Sequence, residues 1–314
     1  MRVGFFYDYD YTLTEEFQQN PIFKEYFSEL QKKYGLKSPE DYWKLCSGKD
    51  KGAAWMGQFL KDSKTIFHGL TNKKMHDYFG KKIELSPGLP EWFERIEKHG
   101  KFFGIEIENH LISAGVLPLI TGSPVAPFFK TITSGEFLDK GNGIYKIDSI
   151  VESFRKVEYL KKICKGGDLH RDLDIGDYHI NYRNLIVFGD GQSDKDLFKY
   201  AKQRGGTVVA VYTKGEKKSF DKCVSSLGAS DYAHSFVNTI KSRDYNENSS
   251  LEKKVIQILQ TISESEKNCD MDWELVNNWK LNHIKNKKIC EDIEEHFNSC
   301  KYCQQKTKLD FSFD

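Results

Sequence analysis

Apolar positions along the chain follow two different patterns. Short continuous apolar runs occur at residues 3–7, 185–188 and 207–212, and such runs are typical of strands buried on both faces. Between them, in stretches such as "FRKVEYLKKIC" and "DKDLFKYAKQ", apolar residues recur every three or four positions, which indicates amphipathic helices. Strands that alternate with helices in this way predict an α/β protein with a doubly wound parallel sheet.

Three segments depart from this alternation. Residues 15–85 carry only short helical periods, residues 130–147 contain strand-like pieces around a Gly-Asn-Gly turn, and residues 241–250 are polar enough to predict a linker. The first segment predicts a helical insertion and the second a hairpin. The predicted division is a Rossmann-like core at 1–14 and 86–240, an inserted helical cap at 15–85 and a helical C-terminal extension at 241–314.

Composition narrows the class of protein. In 314 residues, 39% are hydrophobic and 14% aromatic, which is enough for a sizeable core. The 47 basic and 46 acidic side chains leave a formal charge of +1, so no nucleic-acid partner is expected. No apolar run approaches the roughly 18 residues of a membrane span, and the first residues do not resemble a secretory signal. We therefore expect a soluble, cytoplasmic protein without a transmembrane segment.

Carboxylates follow the predicted strands. Asp8 and Asp10 come directly after the first strand, Ser113 after the second, and Asp190 and Asp194 after "NLIVF". Ligands of open parallel sheets bind beyond the carboxyl ends of the strands, so these side chains are expected at one edge. A cluster of carboxylates suits a hard divalent cation, and Mg²⁺ in particular combines a few carboxylates with waters and a phosphate oxygen.

A basic residue is needed beside such a cluster if it acts on phosphate. A carboxylate that attacks phosphorus is repelled by the phosphate charge, so a metal ion and a nearby cation must offset that charge. Lys156 lies on the predicted helix before the "NLIVF" strand and is the candidate for this cation.

These residues carry a family resemblance. In order, "DYDYTLT", "HLISAG", Lys156 within "FRKVEYL" and "GDGQSD" resemble the four motifs of the haloacid dehalogenase (HAD) superfamily phosphatases. The similarity covers most of residues 1–215, and the region after Ser113 resembles the phosphoserine-phosphatase-like branch.

The resemblance implies a role for each matching residue. Asp8 would be the nucleophile that forms an aspartyl-phosphate, and Asp10 the general acid and base that protonates the leaving group and then activates water. The helical cap would close over the substrate and exclude water. The implied Mg²⁺ ligands are Asp8, the Asp10 carbonyl and Asp190, with Asp194 supporting them, and the implied phosphate-binding residues are Ser113, Ala114 and Lys156.

The sequence also departs from the family pattern. Tyr11 stands where relatives often carry a small residue. Phosphoserine phosphatases place a glutamate nine residues after the nucleophile, whereas here that position is Phe17 and Glu16 is one residue away. This aromatic start of the cap predicts a leaving group other than serine, one that is aromatic or apolar.

The predicted function is therefore a Mg²⁺-dependent phosphatase for a phosphorylated small molecule or a phosphopeptide. Two alternatives remain: a phosphotransferase that uses the same intermediate, and a non-catalytic binding protein on the same fold. The C-terminal extension leaves partner docking open as an added role.

The tail contains a possible zinc site. His296, Cys300 and Cys303 have a spacing compatible with three zinc ligands on a continuous helix. Ile293, Phe297 and Cys300, however, also form an apolar stripe, which favours a packed cysteine without metal. We expect Cys303 near the surface and less than one equivalent of zinc. Residues that could supply a fourth ligand are Cys269, His283 and Cys290.

Overall fold

The structure is a computed structural model, and it describes most of the chain. The described residues are 1–46, 51–174, 177–226, 237–265, 276, 279, 284, 286–300 and 303–304.

A seven-stranded sheet forms the centre of the protein. The strands are β1 (Arg2–Tyr7), β2 (Glu106–Val116), β3 (Thr131–Asp139), β4 (Ile144–Ser149), β5 (Leu185–Gly189), β6 (Thr207–Tyr212) and β7 (Thr239–Ser242). Their order is β4-β3-β2-β1-β5-β6-β7. All neighbouring pairs are parallel except β3 and β4, which form the predicted antiparallel hairpin. The predicted fold class is confirmed.

Helices flank the sheet and fill the insertion after β1. The α-helices are α1 (Asn20–Glu25), α2 (Phe27–Tyr34), α3 (Tyr42–Leu45), α4 (Lys51–Ser63), α5 (Asn72–Lys74), α6 (Glu91–Phe102), α7 (Leu117–Thr121), α8 (Ser153–Cys164), α9 (Lys195–Gln203), α10 (Lys217–Ser226), α11 (Ser250–Ser265) and α12 (Lys287–Ser299). A π-helix spans Met75–Phe79, and 3₁₀ turns span Pro39–Asp41, Gly80–Lys82, Ala126–Phe128, Tyr182–Asn184 and Gln192–Asp194.

Apolar side chains of β1 point alternately to the two faces of the sheet. Val3, Phe5 and Tyr7 point to one face, where they join a core that includes the insertion and α6, while Phe6 points to the other, toward α8 and α9. Burial on both faces explains why the strand is apolar without interruption.

The insertion begins and ends at one place on the sheet. Thr14 pairs with Leu85 in an antiparallel bridge, and the Glu15 amide donates to the Glu84 carbonyl at 3.0 Å. Its helices pack over the β3–β4 hairpin, where the rings of Phe59 in α4 and Phe137 in β3 stack at 5.6 Å. The limits of the cap as a domain of its own stay a prediction.

Two details of the predicted elements are wrong. The apolar spacing of "LSPGLPEWFERIEKHG" predicts a helix that ends at Gly100. The helix continues to Phe102, because Gly100 packs closely against Ile107 and the chain reverses only at Gly104, where φ is 71°. The polar stretch 241–250 is not a loose linker. It contains the end of β7, and the side chains of Arg243 and Tyr245 are buried.

The first helix after β7 belongs to the core. Apolar residues of α11, among them Val255, Ile258 and Leu259, are buried in the same cluster as Trp92 of α6. This packing occupies the apolar face of α11, so a docking role for this part of the extension has no support. Among the described residues, no helix is both long enough and apolar enough to cross a membrane.

Candidate active site

Lys156 lies at the centre of the site. Its ammonium donates to Asp8 Oδ1 at 2.7 Å and to Asp194 Oδ1 at 2.6 Å, and the lysine side chain is fully buried. Asp8 follows β1, and its amide extends the ladder by donating to Phe188 of β5 at 3.0 Å. Asp194 ends the 3₁₀ turn after β5. Strand ends and α8 thus bring together residues that are up to 186 positions apart, as the spacing of Asp8 and Asp194 shows.

A third carboxylate completes the cluster. Carboxylate oxygens of Asp8, Asp190 and Asp194 all lie within 4.8 Å of one another. The second oxygen of Asp194, Oδ2, is buried and has no hydrogen-bond partner among the described residues. A Cβ on Gly189 would lie 2.5 Å from that same oxygen, so the glycine before Asp190 allows Asp194 to approach.

The cluster contains one carboxylate more than the ammonium of Lys156 bonds. Lys156 donates to Asp8 and Asp194, and the third carboxylate is that of Asp190. Burial alone would lower the pKa of Lys156, but Asp194 and Asp8 outweigh it and raise that pKa, so the lysine stays charged. Burial and the neighbouring Asp8 raise the pKa of Asp194. That pKa is raised even though Asp194 is bonded to Lys156, so further positive charge at this edge would stabilise the carboxylate.

These residues fit a divalent metal ion. Convergent carboxylate oxygens and the unsatisfied Asp194 Oδ2 suit a hard cation such as Mg²⁺. Asp8, Asp190 and Asp194 would hold it. The ligand role implied for the Asp10 carbonyl stays a prediction.

Asp10 is held by a residue that the sequence analysis missed. Its Oδ1 accepts a hydrogen bond from the backbone nitrogen of Gln18 at 2.8 Å and another from the side-chain Nε2 of Gln18 at 3.3 Å. Burial, followed by the charge of Asp8, raises the pKa of Asp10 to about 8, although Gln18 partly offsets this. A carboxyl with such a pKa keeps its proton near neutral pH, as a general acid must.

Gln18 also connects Asp10 to the end of β2. Its Oε1 accepts from the Val116 amide at 3.0 Å, and its side chain lies so close to Gly115 that a Cβ there would be 1.7 Å from Nε2. Gln18 follows directly after Phe17, which the family comparison had singled out. No local pattern marks it, because its role depends on contacts across 98 residues.

Ser113 lies inside β2 and not in a turn after it. Tyr7 pairs with Leu111, so Ser113 is two residues beyond that level on the neighbouring strand, and Asp8 one residue beyond it. Its buried hydroxyl accepts from the Gly115 amide at 3.1 Å. Ala114 is half-buried beside it. The phosphate-binding roles of Ser113 and Ala114 stay predictions.

The start of the insertion is aromatic and anchored. The ring of Phe17 lies 4.8 Å from Tyr11 and 4.5 Å from Trp43, and all three are half-buried. Glu16, the acidic residue nearest to the family position, is paired with Lys24 at 2.7 Å. It is therefore not a free acceptor for a substrate amine.

Arg243 fixes the loop that carries Asp10. Its guanidinium donates to the Tyr11 carbonyl at 2.7 Å and to Glu15 at 2.9 Å, and Tyr245 Oη donates to the Thr12 carbonyl at 2.9 Å. Tyr11 itself has a positive φ of 55°. These bonds, from the stretch predicted to be a linker, hold an uncommon backbone conformation next to the acid.

The three candidate zinc ligands of the tail also lie close together, but not on one continuous helix as predicted. Helix α12 ends at Ser299, so His296, Cys300 and Cys303 do not share a continuous helix. Their ligand atoms nevertheless lie within 4.8 Å of one another, and Cys303 is fully buried where a surface position was expected.

Comparison with known proteins gives a structural similarity. No family model and no curated protein sequence matches the chain. A HAD-family hydrolase from Salmonella enterica serovar Typhi aligns with a TM-score of 0.50 and 17% identity, over 70% of this chain and 65% of that one. A substrate-bound phosphoserine phosphatase aligns with a TM-score of 0.49 and 16% identity over 71% and 90%, and cytosolic 5'-nucleotidase IIIB bound to cytidine with 0.48 and 13% over 84% and 86%.

The first of these similarities establishes the class of fold. This chain has the fold of the HAD-family hydrolases, as its sequence motifs predicted. It spans less than two thirds of the length of that relative, and the identity is low, so the similarity extends to the fold alone.

Proposed function

We propose that the protein is a Mg²⁺-dependent HAD-type phosphatase that hydrolyses a phosphomonoester through an aspartyl-phosphate on Asp8. The observation that carries this proposal is the buried Lys156 bonded to both Asp8 and Asp194 within a cluster of three carboxylates. In an ordinary structural ion pair, a lysine bonds to one carboxylate. A buried lysine that bonds to two carboxylates beside a third is typical of a functional site, where these groups also bind a charged substrate or a metal ion.

The residues divide the chemistry between them. Asp8 attacks phosphorus, while Asp10 gives its proton to the leaving oxygen; Asp10 then takes a proton from the water that releases phosphate from Asp8. Lys156, with Ser113 and Ala114, binds the phosphate oxygens. Bound Mg²⁺ would offset the charge of the phosphate beside the carboxylates. The helical insertion at 15–85 acts as the cap that excludes water.

The aromatic start of the cap supports a particular class of leaving group. Phe17, Tyr11 and Trp43 form a half-buried aromatic surface next to Asp10, and Glu16 is already paired with Lys24. This surface favours an aromatic or apolar alcohol over an amino acid, in a small molecule or a phosphopeptide.

Removal of the metal is the direct test. The purified protein is expected to hydrolyse p-nitrophenyl phosphate with Mg²⁺ and to lose that activity in excess EDTA, because the metal would offset the phosphate charge beside the carboxylates. A screen of aryl, amino-acid, sugar and nucleotide phosphates, each with and without Mg²⁺, measures the substrate preference. Undiminished turnover in EDTA would remove the metal from the mechanism, and product that forms only with an added alcohol acceptor would assign a phosphotransferase.

Displacing the Gln18 side chain should impair Asp10 in its role as general acid and base. In Gly115→Ala the new methyl occupies the space of the Gln18 amide, which then leaves Asp10. We expect kcat for p-nitrophenyl phosphate to fall about tenfold, less than the roughly 10²–10⁴-fold that general acid–base catalysis contributes in full, because Asp10 itself is still present. Gln18→Ala should fall by a similar factor.

A matched glycine supplies the control. Gly57 lies in α4 and a Cβ there meets nothing within 4 Å, so Gly57→Ala should keep full activity and gain up to about 1 kcal/mol of stability. Full activity in both Gly115→Ala and Gln18→Ala would mean that Asp10 works without this support.

A further inference from the structure

Residues beyond the end of helix α12 contact its last turn. Cys300 caps the helix with an extended backbone (φ −92°, ψ 101°), and its amide still donates to the His296 carbonyl at 2.8 Å. The Gln304 side chain then donates to the Phe297 carbonyl at 3.1 Å. The Cys303 thiol lies 3.4 Å from Nε2 of His296, which is seven residues earlier in the sequence.

The separations match those of a zinc site. Tetrahedral zinc with Zn–S of about 2.3 Å and Zn–N of about 2.0 Å places a thiolate about 3.5 Å from an imidazole nitrogen and two thiolates about 3.8 Å apart. The observed Cys303–His296 separation is 3.4 Å, and all three ligand atoms, including Cys300 Sγ, lie within 4.8 Å. One ion can therefore reach all three with little movement.

The surroundings match a structural site. Cys303 is fully buried and Cys300 nearly so, and they pack with Val276 and Ile293 in a cluster that is separate from the two large cores. A small satellite of this kind contributes little burial energy, and small units of structure commonly depend on a metal ion. Sulfur and imidazole ligands also differ in kind from the oxygen ligands at the sheet edge, so the two sites prefer different metals.

Contrary to the expectation from the apolar stripe, which favoured a packed cysteine without metal, we propose that His296, Cys300 and Cys303 bind a Zn²⁺ ion at the end of α12. Binding deprotonates the two thiols, and the imidazole binds through Nε2. Water, or a side chain outside the described residues, takes the fourth position; Cys269 and His283, which the sequence analysis considered, lie outside them. Cys290 is not part of the site, because its thiol is directed at the Ile284 carbonyl, 3.5 Å away.

Metal analysis of the full-length protein tests the proposal. Protein expressed with added zinc and dialysed against excess Mg²⁺, which fills the carboxylate site, is expected to retain one equivalent of zinc by elemental analysis. Replacement of this zinc by Co²⁺ should give thiolate-to-cobalt charge-transfer absorption. Cys303→Ser should bind zinc at least tenfold more weakly and lose most of the charge-transfer band, whereas Cys290→Ser should resemble the wild type.

The cobalt spectrum of the wild type decides the matter even if Cys303→Ser does not fold. Cobalt protein without thiolate charge transfer would overturn the proposal. So would a folded Cys303→Ser variant that retains zinc with wild-type affinity, or equal losses in Cys290→Ser and Cys303→Ser.

Discussion

Asp8→Asn is expected to abolish turnover of p-nitrophenyl phosphate. The asparagine amide is a poor nucleophile toward phosphorus, and the substitution also removes one of the three converging carboxylates. Loss of a covalent nucleophile typically costs a factor on the order of 10⁴ or more in kcat. Steady-state rates measure this loss, and rapid quench with ³²P-labelled substrate should show no phosphorylated protein, whereas Asp10→Asn should form it slowly and release it poorly.

An aspartate outside the cluster provides the control. Asp196 is exposed on α9, where it accepts from Ser153 Oγ at 3.1 Å, so Asp196→Asn should keep the wild-type rate. Thermal unfolding of Asp8→Asn separates a chemical loss from misfolding. A phosphorylated Asp8→Asn protein, or wild-type turnover in that variant, would show that another residue is the nucleophile. A wild-type chain with no turnover on any phosphate ester would instead support the binding-protein alternative.

Local patterns were sufficient to predict the class of sheet and its central strands, although not β7. The continuous apolar runs of β1, β5 and β6 reflect burial on both faces, which is a property of each strand by itself. The rule that parallel strands end at one edge then placed the carboxylates of Asp8, Asp190 and Asp194 together. These predictions needed only the order of elements along the chain.

Residues whose roles depend on distant partners were not predictable in this way. Arg243 lies in a polar stretch that resembles a linker, yet its charge is balanced by Glu15, 228 residues away, and it is buried because of that pairing. Asp244 is similarly paired with Lys214. Composition reports how polar a segment is, but whether those polar groups find partners depends on the tertiary structure.

The tail shows a related limit. Helical spacing placed His296, Cys300 and Cys303 on one face, but the helix ends before Cys300, so the contact of Cys303 with His296 is not made along one continuous helix. The sequence therefore indicated that these three residues lie close together, but it did not indicate where the helix ends. Element ends are the least reliable part of a periodicity argument, since the period itself carries no signal for where it stops.

Lys156→Ala should lose both activity and stability. Removing a cation that contacts phosphate is expected to cost on the order of a hundredfold in rate, by analogy with the loss of one oxyanion donor. The same change leaves Asp8 and Asp194 buried without their shared partner, and breaking such a pair costs about 3–5 kcal/mol. Thermal unfolding should therefore show a large drop in melting temperature without metal.

Magnesium should restore part of that stability, because it supplies positive charge to the same carboxylates. The increase in melting temperature on adding Mg²⁺ is thus expected to be larger in Lys156→Ala than in the wild type. Lys161→Ala is the matched control: it lies on the same helix as Lys156, its ammonium is 4.9 Å from the Tyr200 ring centroid, and its removal should change neither rate nor metal response. If Lys161→Ala shows the hundredfold loss and Lys156→Ala does not, the catalytic cation is Lys161. If Lys156→Ala is destabilised but Mg²⁺ raises its melting temperature no more than that of the wild type, the metal and the lysine do not act on the same carboxylates.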